Sequence, residues 1–338
     1  MGLPKVSIII PVYNVELYIA ECLQSVMNQT YQGQLECIVV DDCGTDRSME
    51  IVARMIAGYD GPIEFKVLHQ EQNYGISAAR NTGIDASSGE YVFFMDSDDL
   101  ISEDCIGYLV SLTVGKSFEI VAGGNDVFRG EYEEKGKENE IAVVEKISGQ
   151  EFLLNWIRYY SSVISAWNKL YLKKYLQKKN ARFKSVPLSE DVLFNFELLY
   201  KPSIIYVSNH LTYHYRRREG SIVDVIRKNP EKYRDDLVVF WQELKKVCDD
   251  GLDDLHEEYL HFYGLLVFTM SRKYGLPYYR IFKKLHNDYP YCPLKLWLLK
   301  NRGFRWYKKR MIWSLPSVLG FVWFQLKWRK NRVFGYEK

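Results

Sequence analysis

This sequence predicts an α/β fold with a mostly parallel, doubly wound central sheet, and three observations carry that prediction. Strand-like β-branched runs alternate with stretches of helical apolar spacing through about residue 115, the pattern of strands joined by right-handed helical crossovers. The run Tyr91-Val92-Phe93-Phe94-Met95 is apolar throughout, so it belongs where both faces of a sheet are covered. Polar, glycine-containing turns recur where the strands end, and in open α/β sheets ligands bind in the crevice outside those ends.

In chain order, Val6 to Ile10 is a β-branched strand ended by Pro11, and Leu17 to Met27 follows with Leu17, Ile19, Leu23 and Val26 at helical spacing. Leu35 to Val40 is a second strand that runs into Asp41-Asp42, and Met49 to Ile56 is a second helix. A third strand, Ile63 to Leu68, leads through Asn73-Tyr74-Gly75 to a short helix that Ala78-Ala79-Arg80 opens. The fourth strand is Tyr91 to Met95, and it meets Asp96-Ser97-Asp98-Asp99 directly. Asp96 and Asp98 stand two apart, a spacing that lets both approach one hard cation, Mg or Mn, that also holds a diphosphate. A solvated turn, with Asp99 or Ser102 capping the next segment, is the plainer alternative. Further on, Phe118 to Ala122 reads as strand, Arg129 to Glu140 as a charged surface loop and Ile141 to Ile147 as an antiparallel addition. Ser148 and Glu151 have the spacing of a helix N-terminal box. Ile204 to Val207 is the last strand, and from about Asn229 the chain reads as helical.

Of the 338 residues 47% are hydrophobic and 26% charged, which excludes a disordered chain. Aromatic residues make up 15%, a density that serves core packing, sugar stacking or a membrane interface. Cys22, Cys37, Cys43, Cys105, Cys248 and Cys292 have no CxxC spacing and follow no secretory signal pattern, so reduced thiols in a cytoplasmic protein are expected. No uninterrupted apolar run nears the roughly 20 residues of a spanning helix. The net charge of +2 hides a segregation. Leu294 to Lys338 carries twelve Lys or Arg against the single acid Glu337, together with Trp297, Trp306, Trp313, Trp323 and Trp328, which leaves the body net acidic.

Five motifs stand in order over roughly the first 220 residues: Pro11-Val12-Tyr13-Asn14; Val39-Val40-Asp41-Asp42 with Gly44-Thr45-Asp46; Asn73 and Gly75 with Ala79-Arg80-Asn81-Thr82-Gly83; Asp96-Ser97-Asp98-Asp99; and Glu190-Asp191 before an apolar helix. Together they resemble the inverting glycosyltransferase family 2, in its bacterial polysaccharide-type form. That resemblance implies the GT-A fold, Rossmann-like and mostly parallel, over residues 1–225. Its nucleotide-binding half would be about 1–115 and its acceptor half about 116–225, with a helical extension and basic aromatic tail over 226–338. It also implies roles by position. Pro11, Tyr13, Asn14 and Asp42 line the nucleotide base, Asn73 shapes the neighbouring turn, and Arg80 reaches the diphosphate or sugar. Asp96, with Ser97, contacts ribose or sugar, and Asp98 holds the divalent cation. Helix capping with Thr45 is the alternative for Asp41 and Asp42, and an exposed arginine the alternative for Arg80.

The chemistry asks for this set. The departing diphosphate must be neutralised by a cation and basic side chains, while a carboxylate on the opposite face takes the acceptor proton in a single inverting displacement. Asp191, with Glu190 beside it, fits that base; a helix N-terminal charge pair is its alternative. Around His214, the run Arg216-Arg217-Arg218 departs from the Gln-x-x-Arg-Trp form of processive members, which favours one sugar per encounter. His214 is a candidate metal ligand or a structural residue, Arg216 and Arg218 are phosphate clamps or a basic turn, and Trp167 is an acceptor-sugar platform or core. The expected partners are a nucleotide-sugar donor, UDP-sugar foremost, and a glycan or lipid-diphosphate-linked acceptor. The tail suits peripheral contact with the inner face of a cytoplasmic membrane; packing on the acidic body or in a homodimer is its alternative, and no nucleic-acid-binding fold is visible. The rival functions are a sugar-phosphate nucleotidyltransferase, for which a glycine-rich triphosphate loop is missing, and a non-catalytic nucleotide-sugar-binding or scaffold protein.

Overall fold

The computed structural model describes residues 2–133, 142–153, 164–186, 189–222 and 224–225, with isolated positions between 239 and 247. The helical stretch expected after Asn229, the tail from 294 to 338, and Cys248 and Cys292 lie outside the described residues. The chain divides into two units, Met1–Leu153 with Ser162–Val225, and Leu154–Ser161 with Ile226–Lys338. The first holds the sheet and its helices.

Four parallel strands come first: β1 (Val6–Val12), β2 (Leu35–Asp41), β3 (Glu64–His69) and β4 (Tyr91–Phe94) lie in the order β3-β2-β1-β4. The helices α1 (Ile19–Met27), α2 (Ser48–Ala57) and α3 (Ile76–Ala86) make the crossovers. The rest of the sheet comes from β5 (Leu100–Ile101), β6 (Ile120–Phe128), β7 (Val144–Ser148), β8 (Lys169–Leu172) and β9 (Ile204–Arg216), extending it as β4-β8-β6-β9-β5 with β7 on β9. The helices α4 (Cys105–Ser111), α5 (Lys173–Lys178) and α6 (Glu190–Tyr200) complete the described elements.

The alternation of side chains along β1 and β2 decides which helix covers which face. Ile8, Ile10, Val12, Cys37 and Val39 pack with Ile19, Cys22, Leu23 and Val26 of α1 and with Ile106 and Leu109 of α4. Ile38 and Val40 point the other way, onto Ala79 of α3. Each fully buried Val, Ile or Leu is worth about 1.5–3 kcal/mol, so this two-faced burial is what holds the central strands. Gly83 lets α3 ride close on β1, because a Cβ there would meet Ile9 Cγ2 at 2.3 Å.

Several elements differ from their expected form. The α1 helix starts at Ile19, and Leu17 is 74% exposed instead of joining the apolar face. The fold is less parallel than expected, since β8 inserts antiparallel between β4 and β6. Trp167 to Tyr171 gives no strand signal because the buried Lys169 interrupts its apolar pattern. The last strand runs to Arg216 instead of ending at Val207, its distal half pairing with β6 past an irregularity and with β5. The antiparallel addition before Ser148 is present as β7 against β9, and Ser148 Oγ accepts the Glu151 N–H at 3.1 Å, as its box spacing implies. Cys22, Cys37, Cys43 and Cys105 are free thiols. Among the described residues no helix is long and apolar enough to cross a membrane.

At the N-terminal ends of the strands, Glu36 of β2 is buried under Ser7, Ser88, Gly89 and Lys66, all of which donate to it. Burial opposes its charge, yet these donors hold its carboxyl well below the ordinary range. Glu36→Ala leaves them unmet and should lower stability by about 3 kcal/mol, read from urea unfolding at pH 7. In the native chain the folded pKa lies below the unfolded value of 4.5, so this stabilisation is in place above pH 4.5 and should fade as pH falls below it.

Candidate active site

At the C-terminal end of the sheet, turns from β1, β2 and β4 meet the starts of α3 and α6. Pro11 is buried, while Tyr13 and Asn14 leave the end of β1 exposed, and Asn14, with φ 51°, accepts the Thr45 N–H at 2.7 Å through Oδ1. Asp42 is buried and accepts the N–H groups of Tyr74 (2.8 Å) and Gly75 (3.0 Å). Gly75 precedes α3 with φ +88°, a conformation glycine adopts without penalty. Asp42 thus ties the end of β2 to the turn that launches α3, with Asn73 exposed beside it. Desolvation raises its pKa against the pull of the two N–H groups. Neither Asp41 nor Asp42 caps α2: Asp46 takes the Ser48 N–H, and Asp41 faces His69 at 2.9 Å.

Arg80 is 2% exposed, which removes the surface alternative. It bonds Asp96 Oδ1 and Glu190 Oε1, each at 2.8 Å, and lies 5.1 Å from the Phe183 ring centre. Burial alone would lower its pKa, but Asp96 and then Glu190 hold it above the ordinary arginine value. Asp191 follows Glu190 in the first turn of α6, after Ser189 at φ 63°. Its Oδ1 accepts the Val192 N–H at 2.8 Å. Burial, and then the adjoining Glu190, push the Asp191 carboxyl up to about 7. The residues expected on the donor side and the acceptor side are therefore joined through one guanidinium.

Asp96 is partly exposed, and its N–H is met by the Tyr213 hydroxyl at 3.1 Å. Ser97 is buried next to it. Asp98 takes Arg218 Nε on Oδ2 at 2.6 Å, and its carbonyl accepts Arg216 Nε at 2.9 Å. Burial raises the Asp98 pKa and Arg218 opposes it. Asp99 caps no helix and neither does Ser102, whose hydroxyl donates to Asp104. Asp99 is fully buried instead, accepting the Tyr213 hydroxyl and the Arg216 N–H, each at 2.7 Å. That use of Asp99 escapes sequence reasoning because its partners lie more than a hundred residues on, in a strand read as too short.

The remaining candidates are held mostly by protein. His214 Nδ1 bonds Asp126 Oδ1 at 2.8 Å, so its carboxylate partner is Asp126 and not Asp98, and its ring lies 4.2 Å from that of Tyr132. Arg216 is buried between the rings of Tyr18 and Phe128 and also bonds Glu21 and the Gly130 carbonyl. Arg218 is the more exposed clamp, 5.0 Å from the Tyr18 ring centre. Trp167 is buried and stacks on Tyr213 (4.5 Å) and Tyr215 (5.6 Å).

Among the described residues no three His, Cys, Asp or Glu side chains are gathered into a cation cage. The donor chemistry still suits a divalent ion: the ion pairs of Asp96 and Asp98 each use one carboxylate oxygen, and Mg is commonly held by one or two carboxylates with substrate phosphates filling its shell.

Residues 7–178 match the family described as Glycosyl transferase family 2. Glycosyltransferase GlyA of Streptococcus pneumoniae serotype 4 is 34% identical over 232 residues, covering 64% of this chain, which spans only 31% of GlyA. The crystal structure of Staphylococcus aureus TarS 1-349 in complex with UDP-GlcNAc superposes with TM-score 0.60 at 24% identity over 80% of this chain and 73% of that one. Mannosyltransferase PcManGT from Pyrobaculum calidifontis, in complex with GDP-Man and Mn2+, gives TM-score 0.56 at 16% identity over 99% and 88%. These likenesses establish the GT-A fold.

Arg80→Met should leave Asp96 and Glu190 without their shared cation and take a favourable charge away from Asp191. Urea unfolding should show a loss of about 3–5 kcal/mol, and the Asp191 midpoint, followed by carboxyl NMR, should climb above its native position near 7.

Proposed function

The chain belongs to glycosyl transferase family 2, and from that membership we propose that it moves one sugar from a UDP-sugar to a hydroxyl of a glycan or lipid-linked acceptor, with inversion, in cell-surface polysaccharide synthesis. The observation that carries the reading is the Arg80 bridge between Asp96 and Glu190, which ties the acidic turn after β4 to the Glu190-Asp191 pair and so supports a base on the far side of the donor. The likeness to TarS bound to UDP-GlcNAc and to curated relatives named as glycosyltransferases supports a nucleotide-sugar donor. Family membership also displaces the nucleotidyltransferase alternative.

In this reading, Tyr13, Asn14 and Asp42 receive the base, with Asn73 beside them. Asp96 and Ser97 meet ribose or sugar, and Arg80 and Arg218 face the phosphates. Asp98 and Asp96 would hold a divalent Mg or Mn, which when bound would supply positive charge against the departing diphosphate; the cation in the PcManGT complex supports this choice. Asp191 accepts the acceptor hydroxyl's proton as that oxygen bonds the anomeric carbon and the bond to phosphate breaks. A carboxyl pushed up to about 7 makes a stronger base than an ordinary aspartate, provided it is ionised at working pH. Glu190 supports it by fixing Arg80.

A screen of UDP-, GDP- and dTDP-sugars identifies the donor. With it, transfer should rise with pH through about 7 as Asp191 ionises, and EDTA should abolish it until Mn or Mg is restored. Asp191→Asn should lower kcat by about 10²–10⁴ with donor affinity retained. Near-normal transfer by that variant would end the base assignment.

The twelve basic residues and five Trp of the tail support peripheral attachment to the cytoplasmic face of a membrane. Deleting residues 294–338 should abolish sedimentation with anionic liposomes while leaving UDP binding intact; unchanged sedimentation would count against the attachment.

A further inference from the structure

Lys169 is a charge buried where the strand pattern gives no cause for one. It opens β8, is 2% exposed, and its Nζ donates to the carbonyls of Ser165 (2.7 Å) and Trp167 (3.4 Å). Among the described residues no carboxylate lies within ion-pair distance of it, and backbone carbonyls alone leave a buried ammonium short of countercharge. Its place in the fold supplies one. Lys169 and Tyr171 alternate along β8 and share a face. The Tyr171 hydroxyl donates to Asn195 Oδ1 at 2.8 Å, and Asn195 stands one turn after Asp191 in α6. Two residues of strand and one turn of helix span comparable distances, about 6 Å each. β8 runs antiparallel to β4 with Leu170 opposite Phe93, so Lys169 lies toward the end of β4 that leads to Asp96, whose Arg80 partner also holds Glu190 at the start of α6; Asp191, next along that helix, is the charge that acts on it.

We propose that Lys169 is a positioning residue for Asp191, its buried ammonium set across from the carboxylate to keep it in the ionised form that accepts a proton; this rests on the reading of Asp191 as the base.

The surrounding charges explain why a second cation matters. Burial, Glu190 and Asp96 all disfavour the Asp191 carboxylate, while Arg80 and the Val192 N–H favour it. Arg80 is already divided between Asp96 and Glu190, and Tyr171, the other titratable group of β8 on this face, stays neutral because burial pushes its hydroxyl up. Among the described residues Lys169 has no ion pair of its own. Burial lowers its pKa to about 7 and Asp191 pulls the other way, so ammonium and carboxylate titrate in one pH range and their protonations are linked. As Asp191 gains the acceptor's proton, Lys169 loses its countercharge and holds its own proton less firmly, which limits the charge left in the pocket.

The test follows both titrations in the full-length protein, using 13C NMR of the aspartate carboxyls and lysine Cε atoms, with Asp191→Asn and Lys169→Gln for assignment. Lys169→Gln keeps an N–H donor for the Ser165 carbonyl and loses the charge. The Asp191 midpoint should rise by about one pH unit, and the acidic limb of the transfer rate should move up with it. A residue that merely pinned those carbonyls would change the melting temperature and leave the midpoint alone, and an unmoved midpoint in the folded variant overturns the inference. Should that variant not fold, the reciprocal measurement needs no change at 169: in Asp191→Asn the Lys169 midpoint should fall, and a constant one overturns the inference. Transfer retained by Asp191→Asn overturns the base reading and this inference with it, whereas lost transfer with unmoved midpoints overturns the inference alone.

Discussion

Arg80 is buried to 2% exposure, so its charge must be met by carboxylates that the fold brings to it. Asp96 arrives from the end of β4 and Glu190 from the start of α6, 16 and 110 residues away along the chain. The pair of ion bonds therefore sets where α6 begins relative to the sheet, and with it where Asp191 stands relative to the acidic turn after β4. Removing one partner from such a buried cluster is far more damaging than never having built it, which makes this the point on which the geometry of the pocket depends.

The same requirement shapes the other wall. Asp99 is buried, and burial with Asp98 and Asp96 nearby pushes its pKa well up; the Tyr213 hydroxyl and the Arg216 N–H meet both its oxygens. These bonds pull the long β9 across the turn that carries Asp96 and Asp98. Trp167 stacks on the outer part of that strand and extends the same packing. Strain gathers around the site too: Asn14 and Cys43, past the ends of β1 and β2, and Ser189, before α6, are left-handed without being glycine. Such conformations persist where the surroundings over-determine them, and here each adjoins a turn that presents a candidate substrate contact.

Much of the side expected to take the nucleotide was legible in the residues themselves. The β-branched runs, the Asp42 turn and the Asp96–Asp99 cluster are local features, and local features leave a local signal. Arg80 could be located but not assigned, since its helix reads the same whether it is exposed or buried; only the close seat of Gly83 on Ile9 puts it inside. The half after about residue 116 was harder to read. β8 is four residues long with a lysine in it, β9 continues through polar residues because two neighbouring strands satisfy its backbone, and Arg216 serves carbonyls and carboxylates drawn from three other segments.

By itself the sequence determined the α/β alternation, the positions at which strands end in carboxylates, and the order of motifs that marks the family, because hydrophobic periodicity and turn chemistry act over a few residues. The tertiary structure alone decided which charges meet across the fold: Arg80 between Asp96 and Glu190, Asp98 on Arg218, and Lys169 inside the protein. Charge pairing depends on distances across the fold and on the water that packing removes, and neither is written in the spacing of residues along a chain.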